Sequence, residues 1–234
     1  MVTGGITPPY EIPNIHIDSH IVETGVPIGA WRSVGLSQSC FVIESFIDEL
    51  AHAAKKDPYE FRRAMLKQNA RLLGVLDLAA SKANWHSPLA KGRGRGIACV
   101  KGFGSFVAQV AEVSVADDRT VRVDRVVCAV DCGPVVNPDT IEAQIESAIV
   151  FGLSASMNGE ITIRDGAVQQ GSFDDYPMLM IHEMPKVEVY IVPSAESVGG
   201  IGEPAVPPIA PAVANAIFAA TGKRLREMPM RLAI

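Results

Sequence analysis

Cysteine is scarce in this chain, and cationic side chains are missing from one long stretch. The four cysteines, Cys40, Cys99, Cys128 and Cys132, form no CxxC pair. They are expected to be buried structural thiols, and an iron–sulfur site built on this chain alone is excluded by the lack of matched thiolate spacings. The five histidines, His16, His20, His52, His86 and His182, show no zinc-ligand spacing. No basic stripe exists, and the net charge is −5, which argues against nucleic acid or an anionic membrane as a partner. The richest basic run, Lys91-Gly92-Arg93-Gly94-Arg95, is short and reads as a solvated linker. The longest apolar run, residues 205–220, contains Pro207, Pro208 and Pro211, and is too short and too broken to span a bilayer. The first residues show no apolar core behind a basic start, so no secretory signal is read there. The expected compartment is cytoplasm or periplasm.

What is present is a core. Hydrophobic residues make up 48% of the 234 positions, and mean hydropathy is +0.20. That is enough for one large domain or two small ones. The most informative stretch is Val198-Gly199-Gly200-Ile201-Gly202-Glu203-Pro204. Three glycines in four positions let the backbone turn tightly and approach a ligand closely. One acid, Glu203, follows, and then residues 205–220, where Asn215 is the single polar side chain. No Lys or Arg lies between Lys186 and Lys223. A lone carboxylate leading into an apolar segment is costly, and chemistry is the usual reason to keep one. The plain alternative is an exposed loop acid capping the last helix.

Periodicity divides the rest. Residues 37–54 place Ile43, Phe46, Ile47, Leu50, Ala51 and Ala54 at helical spacing, with Glu44, Asp48 and Glu49 on the outer face. A second helix starts at Asp57-Pro58-Tyr59-Glu60, with Asp57 as cap, Pro58 in the first turn and Glu60 completing a capping box. A third covers residues 70–83. The five glycines between Gly92 and Gly104 read as turns and mark a boundary between residues 1–90 and 91–234. Residues 107–115 and 120–129 alternate as strands across Ala116-Asp117-Asp118-Arg119. Asn137-Pro138 caps a helix running to about residue 157. A hairpin turns at Asp165-Gly166, residues 187–192 form a strand, and the apolar run closes the chain. Hairpins dominate the interleaved helices and strands, so the expected class is α+β with mixed sheets.

Four collinear runs, GVPIGAWRSVG (25–35), ESFIDELAHAAKKDPYEFRR (44–63), VCAVDCGPVVNPDTIEAQIE (127–146) and GGIGEPAVPPIAPAVANAIFAATGKR (199–224), resemble the molybdenum-cofactor-binding large subunit of the xanthine oxidase family. The branch is the isoquinoline 1-oxidoreductase and aldehyde dehydrogenase type. The family's MGQG and GGGFG runs, which lie N-terminal to the matched region, have no counterpart here, so the resemblance implies the C-terminal part of such a subunit.

The resemblance implies roles residue by residue. Glu203 matches the general base beside the molybdenum, acting on a metal-bound water or hydroxyl. Gln144 matches the glutamine that contacts the pterin, Arg32 the arginine of the loop near the metal, and Gly202 the glycine before the base. The implied cofactor is molybdenum-molybdopterin, in its cytosine dinucleotide form, and no protein side chain of this chain is an expected metal ligand. The implied reaction oxidises an aldehyde or N-heteroaromatic substrate with water as the oxygen source. The implied partners are the remaining cofactor-binding portion and a small iron–sulfur subunit that takes the electrons. The alternative is a truncated, non-catalytic remnant or assembly domain without cofactor. Ser147 stands where the family commonly has glycine, and its hydroxymethyl group is expected to crowd the cofactor. Tyr176 and the Asp174-Asp175 pair are candidates for a substrate channel, with an ordinary connecting loop as the plainer reading.

Overall fold

The computed structural model describes residues 7–23 and 25–232. Three helices, α1 (Gly35–Ala53), α2 (Pro58–Ala64) and α3 (Ala70–Lys82), precede three long strands, β1 (Arg93–Gly102), β2 (Ser105–Val115) and β3 (Val121–Asp131). Helix α4 (Pro138–Leu153) runs into a π turn at Ser154–Asn158. A two-residue hairpin, β4 (Ile163–Arg164) with β5 (Ala167–Val168), follows, then β6 (Lys186–Ile191) and α5 (Ile209–Thr221). The main sheet has the order β1-β2-β3-β6. Its first two pairings are antiparallel, and β6 lies parallel to β3, which makes the sheet mixed and the class α+β.

Helices cover both faces of this sheet. Along β2 and β3, Val107, Ala111, Val126, Cys128 and Val130 join Ile145, Ile149, Val213 and Ile217 of α4 and α5. The alternate residues Phe106, Ala108, Val110, Val127 and Ala129 join Leu72, Val75, Leu76 and Ala79 of α3. A strand buried on both sides reads as a continuous apolar run, and β2 is buried from Ser105 through Val113. Helix α5 is buried from Ile209 to Ile217 on every side, as expected of a helix that is apolar all round.

The caps follow the sequence. Asp57 accepts from the amides of Tyr59 and Glu60, and Asn137 accepts from Thr140 N at 3.1 Å ahead of Pro138. Gly222, at φ 73°, ends α5 in the left-handed conformation.

Two expectations are overturned. The Gly92–Gly104 region turns only at its ends, at Gly92 and at Phe103–Gly104, with strand β1 between them, so Arg93–Arg95 is not a solvated linker. Gly94 and Gly96 lie inside β1, where α5 crosses it. A Cβ on Gly94 would collide with Ala216 O, and one on Gly96 with Ala212 O. Gly94 and Gly96 mark close helix-on-strand contact rather than chain reversal, while Gly104, at φ 78°, does turn the chain from β1 into β2. Arg95 points to the opposite face and pairs with Glu112 at 2.8 Å, both side chains nearly buried.

The second correction concerns α1. Glu44 and Asp48 face inward, while Phe46 and Leu50 are exposed. Glu44 accepts from Tyr10 Oη (2.5 Å), Arg62 Nε (2.9 Å) and the amide of Cys99 (3.0 Å). Asp48 pairs with Arg62 at 3.5 Å and Arg224 at 2.7 Å. A buried ionic network of this kind places charge in the core because each charge has a partner there. All four cysteines are free and buried, and burial pushes the Cys128 thiol up to about 12, which leaves it an unreactive packing group.

Candidate active site

The glycine loop is fixed before it reaches Glu203. Gly199 N donates to Cys132 O at 2.9 Å and Gly200 N to Phe103 O at 2.7 Å, so the loop is stapled to the end of β3 and to the β1–β2 turn. Ser105 Oγ donates to Gly200 O at 2.7 Å. A Cβ at Gly199 would come within 2.5 Å of the Gly104 backbone, which explains the glycine there. Beyond Glu203, the buried amide of Gln109 donates to Ala205 O at 2.8 Å. Helix α5 begins only at Ile209, with Pro208 at its cap position and no side-chain cap. Glu203 therefore does not cap that helix, which removes the plain alternative.

Glu203 is instead held by a turn 170 residues away in sequence. Ser33 N donates to Glu203 Oε1 at 2.9 Å, and Ser33 Oγ donates to the Glu203 carbonyl at 2.6 Å. The neighbouring Arg32 spans the site. Its Nε donates to Gly202 O at 2.7 Å, its Nη1 to Ser147 Oγ at 3.1 Å, and its Nη2 to Gln144 Oε1 at 3.1 Å and Gln144 O at 3.4 Å. Partial burial lowers the Arg32 pKa, and the charge of Glu203 opposes that shift. Residues 32, 144, 202 and 203 thus meet in one place, brought together by the 31–34 turn, α4 and the glycine loop.

The side chains keep capacity for a ligand. Among the described residues, Glu203 Oε2 and Gln144 Nε2 make no hydrogen bond to protein. Gly202 is exposed, and a Cβ there would meet only Gln144 Oε1, at 3.9 Å. The space beside Gly202 is open. The Ser147 hydroxyl is turned to Arg32, where it serves as an acceptor.

A cleft of about 540 Å³ adjoins the cluster, with Trp31, Ser147, Phe151, Tyr176, Met178 and Met184 in its wall. Trp31 packs on Phe151 with ring centroids 4.8 Å apart, and Arg32 lies 5.7 Å from the Phe151 ring centre. Gln144, Ser147 and Phe151 recur at helical spacing on α4. The π turn at Ser154–Asn158 begins at the cleft edge, since Ser154 and Ala155 line it. Of the three loop candidates, Tyr176 lines the cleft. Asp175 is occupied with the amides of Gly171 (2.8 Å) and Ser172 (3.0 Å), which hold its pKa low, and Asp174 is not among the lining residues.

Two residues of this site carried little signal in the sequence. Ser33 is one serine among many, and its position beside Arg32 is its one distinguishing mark. Phe151 is an apolar residue of α4 outside its buried face, which the helical period does not single out. Among the described residues, no helix is long and apolar enough to cross a membrane, and no three His, Cys, Asp or Glu side chains gather as a metal-binding group.

Comparison with known proteins places the chain in a family. A molybdopterin cofactor-binding domain model matches residues 44–185, and a second such model matches residues 1–66. The chain belongs to the molybdopterin cofactor-binding domain family.

The chain is also similar to particular proteins. The chain is 34% identical over 229 residues to the beta subunit of isoquinoline 1-oxidoreductase from Brevundimonas diminuta, covering 96% of this chain and 29% of that protein. It is 35% identical over 243 residues to a nicotinate dehydrogenase subunit from Pseudomonas putida, covering 95% and 20%. The chain therefore spans less than a third of the length of these curated relatives. The fold is similar to that of quinoline 2-oxidoreductase from Pseudomonas putida 86, with TM-score 0.78 at 12% identity over 87% of this chain and 52% of that one. It is also similar to aldehyde oxidoreductase from Desulfovibrio gigas, with TM-score 0.72 at 14% identity over 86% and 40%.

Proposed function

We propose that this chain supplies the base-bearing part of a molybdenum hydroxylase active site, with Glu203 as general base and Gln144, Arg32 and Gly202 as the cofactor-facing groups. The observation that carries this reading is the convergence of residues 32, 144 and 203, with one carboxylate oxygen and one amide nitrogen left unbonded at an open glycine.

The residues present fit a molybdopterin group. Arg32 occupies the Gln144 carbonyl, which leaves Nε2 to donate to a pterin edge or its phosphate. The absence of a Cβ at Gly202 lets a planar ligand approach the backbone. When bound, the cofactor supplies the two-electron oxidation of an aldehyde or N-heteroaromatic carbon, with water as the source of oxygen. Glu203 holds the proton step: its Oε1 is engaged by Ser33 N, so Oε2 is the oxygen that takes a proton from the attacking water. A base so positioned contributes roughly 10²–10⁴ in rate. Trp31 and Phe151 give the adjoining cleft an aromatic wall for an apolar substrate. The cytosine dinucleotide form of the cofactor, an iron–sulfur partner that receives the electrons, and a partner portion completing the cradle belong to the same proposal. The names of the relatives, an isoquinoline oxidoreductase and a nicotinate dehydrogenase, support the substrate class.

The test is molybdenum and pterin content of the chain purified alone and with the products of neighbouring genes, followed by turnover of the loaded assembly. Stoichiometric cofactor in the assembly, with turnover lost in Glu203→Gln at unchanged cofactor content, is expected. Cofactor absent from both preparations would overturn the reading in favour of a remnant or assembly domain. Unchanged turnover in Glu203→Gln would remove the base assignment.

A further inference from the structure

The turn that carries Arg32 has an unusual backbone. Ser33 and Val34 both adopt positive φ, 73° and 48°, a region that disfavours side chains and above all β-branched ones. Such a conformation persists where its surroundings over-determine it. Here the surroundings are visible. Val34 N closes the turn on Trp31 O at 2.8 Å, Ser37 Oγ donates to Arg32 O at 3.1 Å, and the Arg32 guanidinium is tied to Gly202, Ser147 and Gln144. The left-handed geometry lets one residue use two donors on one target. Ser33 N reaches the Glu203 carboxylate while Ser33 Oγ reaches the Glu203 carbonyl. Ser33 itself is buried, at 1% exposure, so water does not compete for these bonds.

We propose that Ser33 is the positioning residue of the Glu203 base: its amide and hydroxyl lock the glutamate's backbone and Oε1, so that Oε2 alone faces the open side. The proposal rests on the reading of Glu203 as base. It gives the two positive-φ residues a role, because a serine at ordinary φ would not aim both donors at Glu203. It also gives Arg32 a task besides facing the cofactor. Through four hydrogen bonds to Gly202, Ser147 and Gln144 the arginine is also a strut that holds the Ser33 turn against α4 and the glycine loop, and one of its five N–H donors remains for a ligand.

Two measurements test this. The first uses the full chain without cofactor, labelled with ¹⁵N-serine. An N–H that donates to a carboxylate is charge-assisted, so the Ser33 amide is expected downfield and is expected to move upfield in Glu203→Gln. A Ser33 amide unmoved by that substitution overturns the proposal. The second compares Ser33→Ala and Ser33→Gly in the cofactor-loaded assembly. Both variants keep the backbone amide and lose the hydroxyl half of the lock, which is expected to lower kcat about tenfold or more, with KM changed by less than about threefold. Ser33→Gly is expected to retain its thermal midpoint, because glycine is at ease at positive φ. A merely structural role would lower the midpoint and leave the kcat of the folded fraction intact, and wild-type kcat in both variants overturns the proposal. If the wild-type assembly shows no turnover, the reading of the function fails on its own, and the amide measurement alone decides for or against the Ser33–Glu203 lock.

Discussion

Two clusters in this molecule contain the same chemistry, and they end in opposite conditions. Around Glu44, the carboxylate accepts from Arg62, the Tyr10 hydroxyl and the Cys99 amide, Arg62 also pairs with Asp48, and both Arg62 and Glu44 are sealed from solvent at 0% and 1% exposure. Around Glu203, one arginine meets a carboxylate loop, a glutamine and a serine. In the first cluster both Glu44 oxygens have partners. In the second, Glu203 Oε2 and Gln144 Nε2 have none among the described residues, and Gly202 lies open beside them. A closed polar network specifies a fold. An incomplete one at a surface, built on a strained turn, retains donors and acceptors for something else.

The comparison breaks if the two clusters respond alike to mutation. The largest separation is expected for Glu203→Gln, which should reduce turnover of the loaded assembly by roughly 10²–10⁴ while leaving the thermal midpoint near wild type. Steady-state rates and a melting curve on one preparation check both halves. Arg62→Ala should do the reverse. It strands Glu44 and Asp48 in the core, and breaking a buried pair in this way costs roughly 3–5 kcal/mol; a urea titration that finds less than about 1 kcal/mol would place the network on the same footing as a surface pair.

Smaller effects sharpen the frame around the clusters. Gly96→Ala pushes a methyl group against Ala212 O and Ala216 N, and overpacking at a rigid contact costs roughly 1–3 kcal/mol. The same substitution at Gly166, where a Cβ meets nothing within 4 Å, separates steric cost from φ cost because that glycine sits at φ 79°. The mildest expectation concerns pH. Glu188 is held at about 2, below its ordinary 4.5, first by its hydrogen bond to Arg125 and then by that to Lys186. A depressed carboxylate pKa contributes stability that is complete above the unfolded value and is lost as the pH falls through the folded one. Stability should therefore decline between about pH 4.5 and pH 2, and Glu188→Gln should flatten that part of the profile.

Much of the architecture was readable from the chain. Helix α3, β2, β3, the Asn137 cap and the Asp165-Gly166 turn lie where period and punctuation place them, because each obeys local rules. Strand β1 escaped notice since its alternation is glycine with arginine, and the reason for glycine is a helix more than 100 residues further on. The inward face of α1 escaped notice for a related reason. Glu44 and Asp48 look like solvent positions until Arg62 and Arg224 are brought to them. A resemblance of motifs singles out Arg32, Gln144, Gly202 and Glu203, which the structure brings together. Ser33 is not among them, because what distinguishes it is a backbone angle and two distances.

The sequence by itself determined the class of the fold, the apolar nature of α5, the caps, and the presence of a lone acid after a glycine loop. These depend on composition and on neighbours within a few residues, where propensity and periodicity act. Only the tertiary structure decided which charges lie inside, why β1 carries glycine, and that Glu203 is gripped by a turn 170 residues away. Those outcomes depend on contacts between distant segments, where burial and hydrogen-bond satisfaction override local preference.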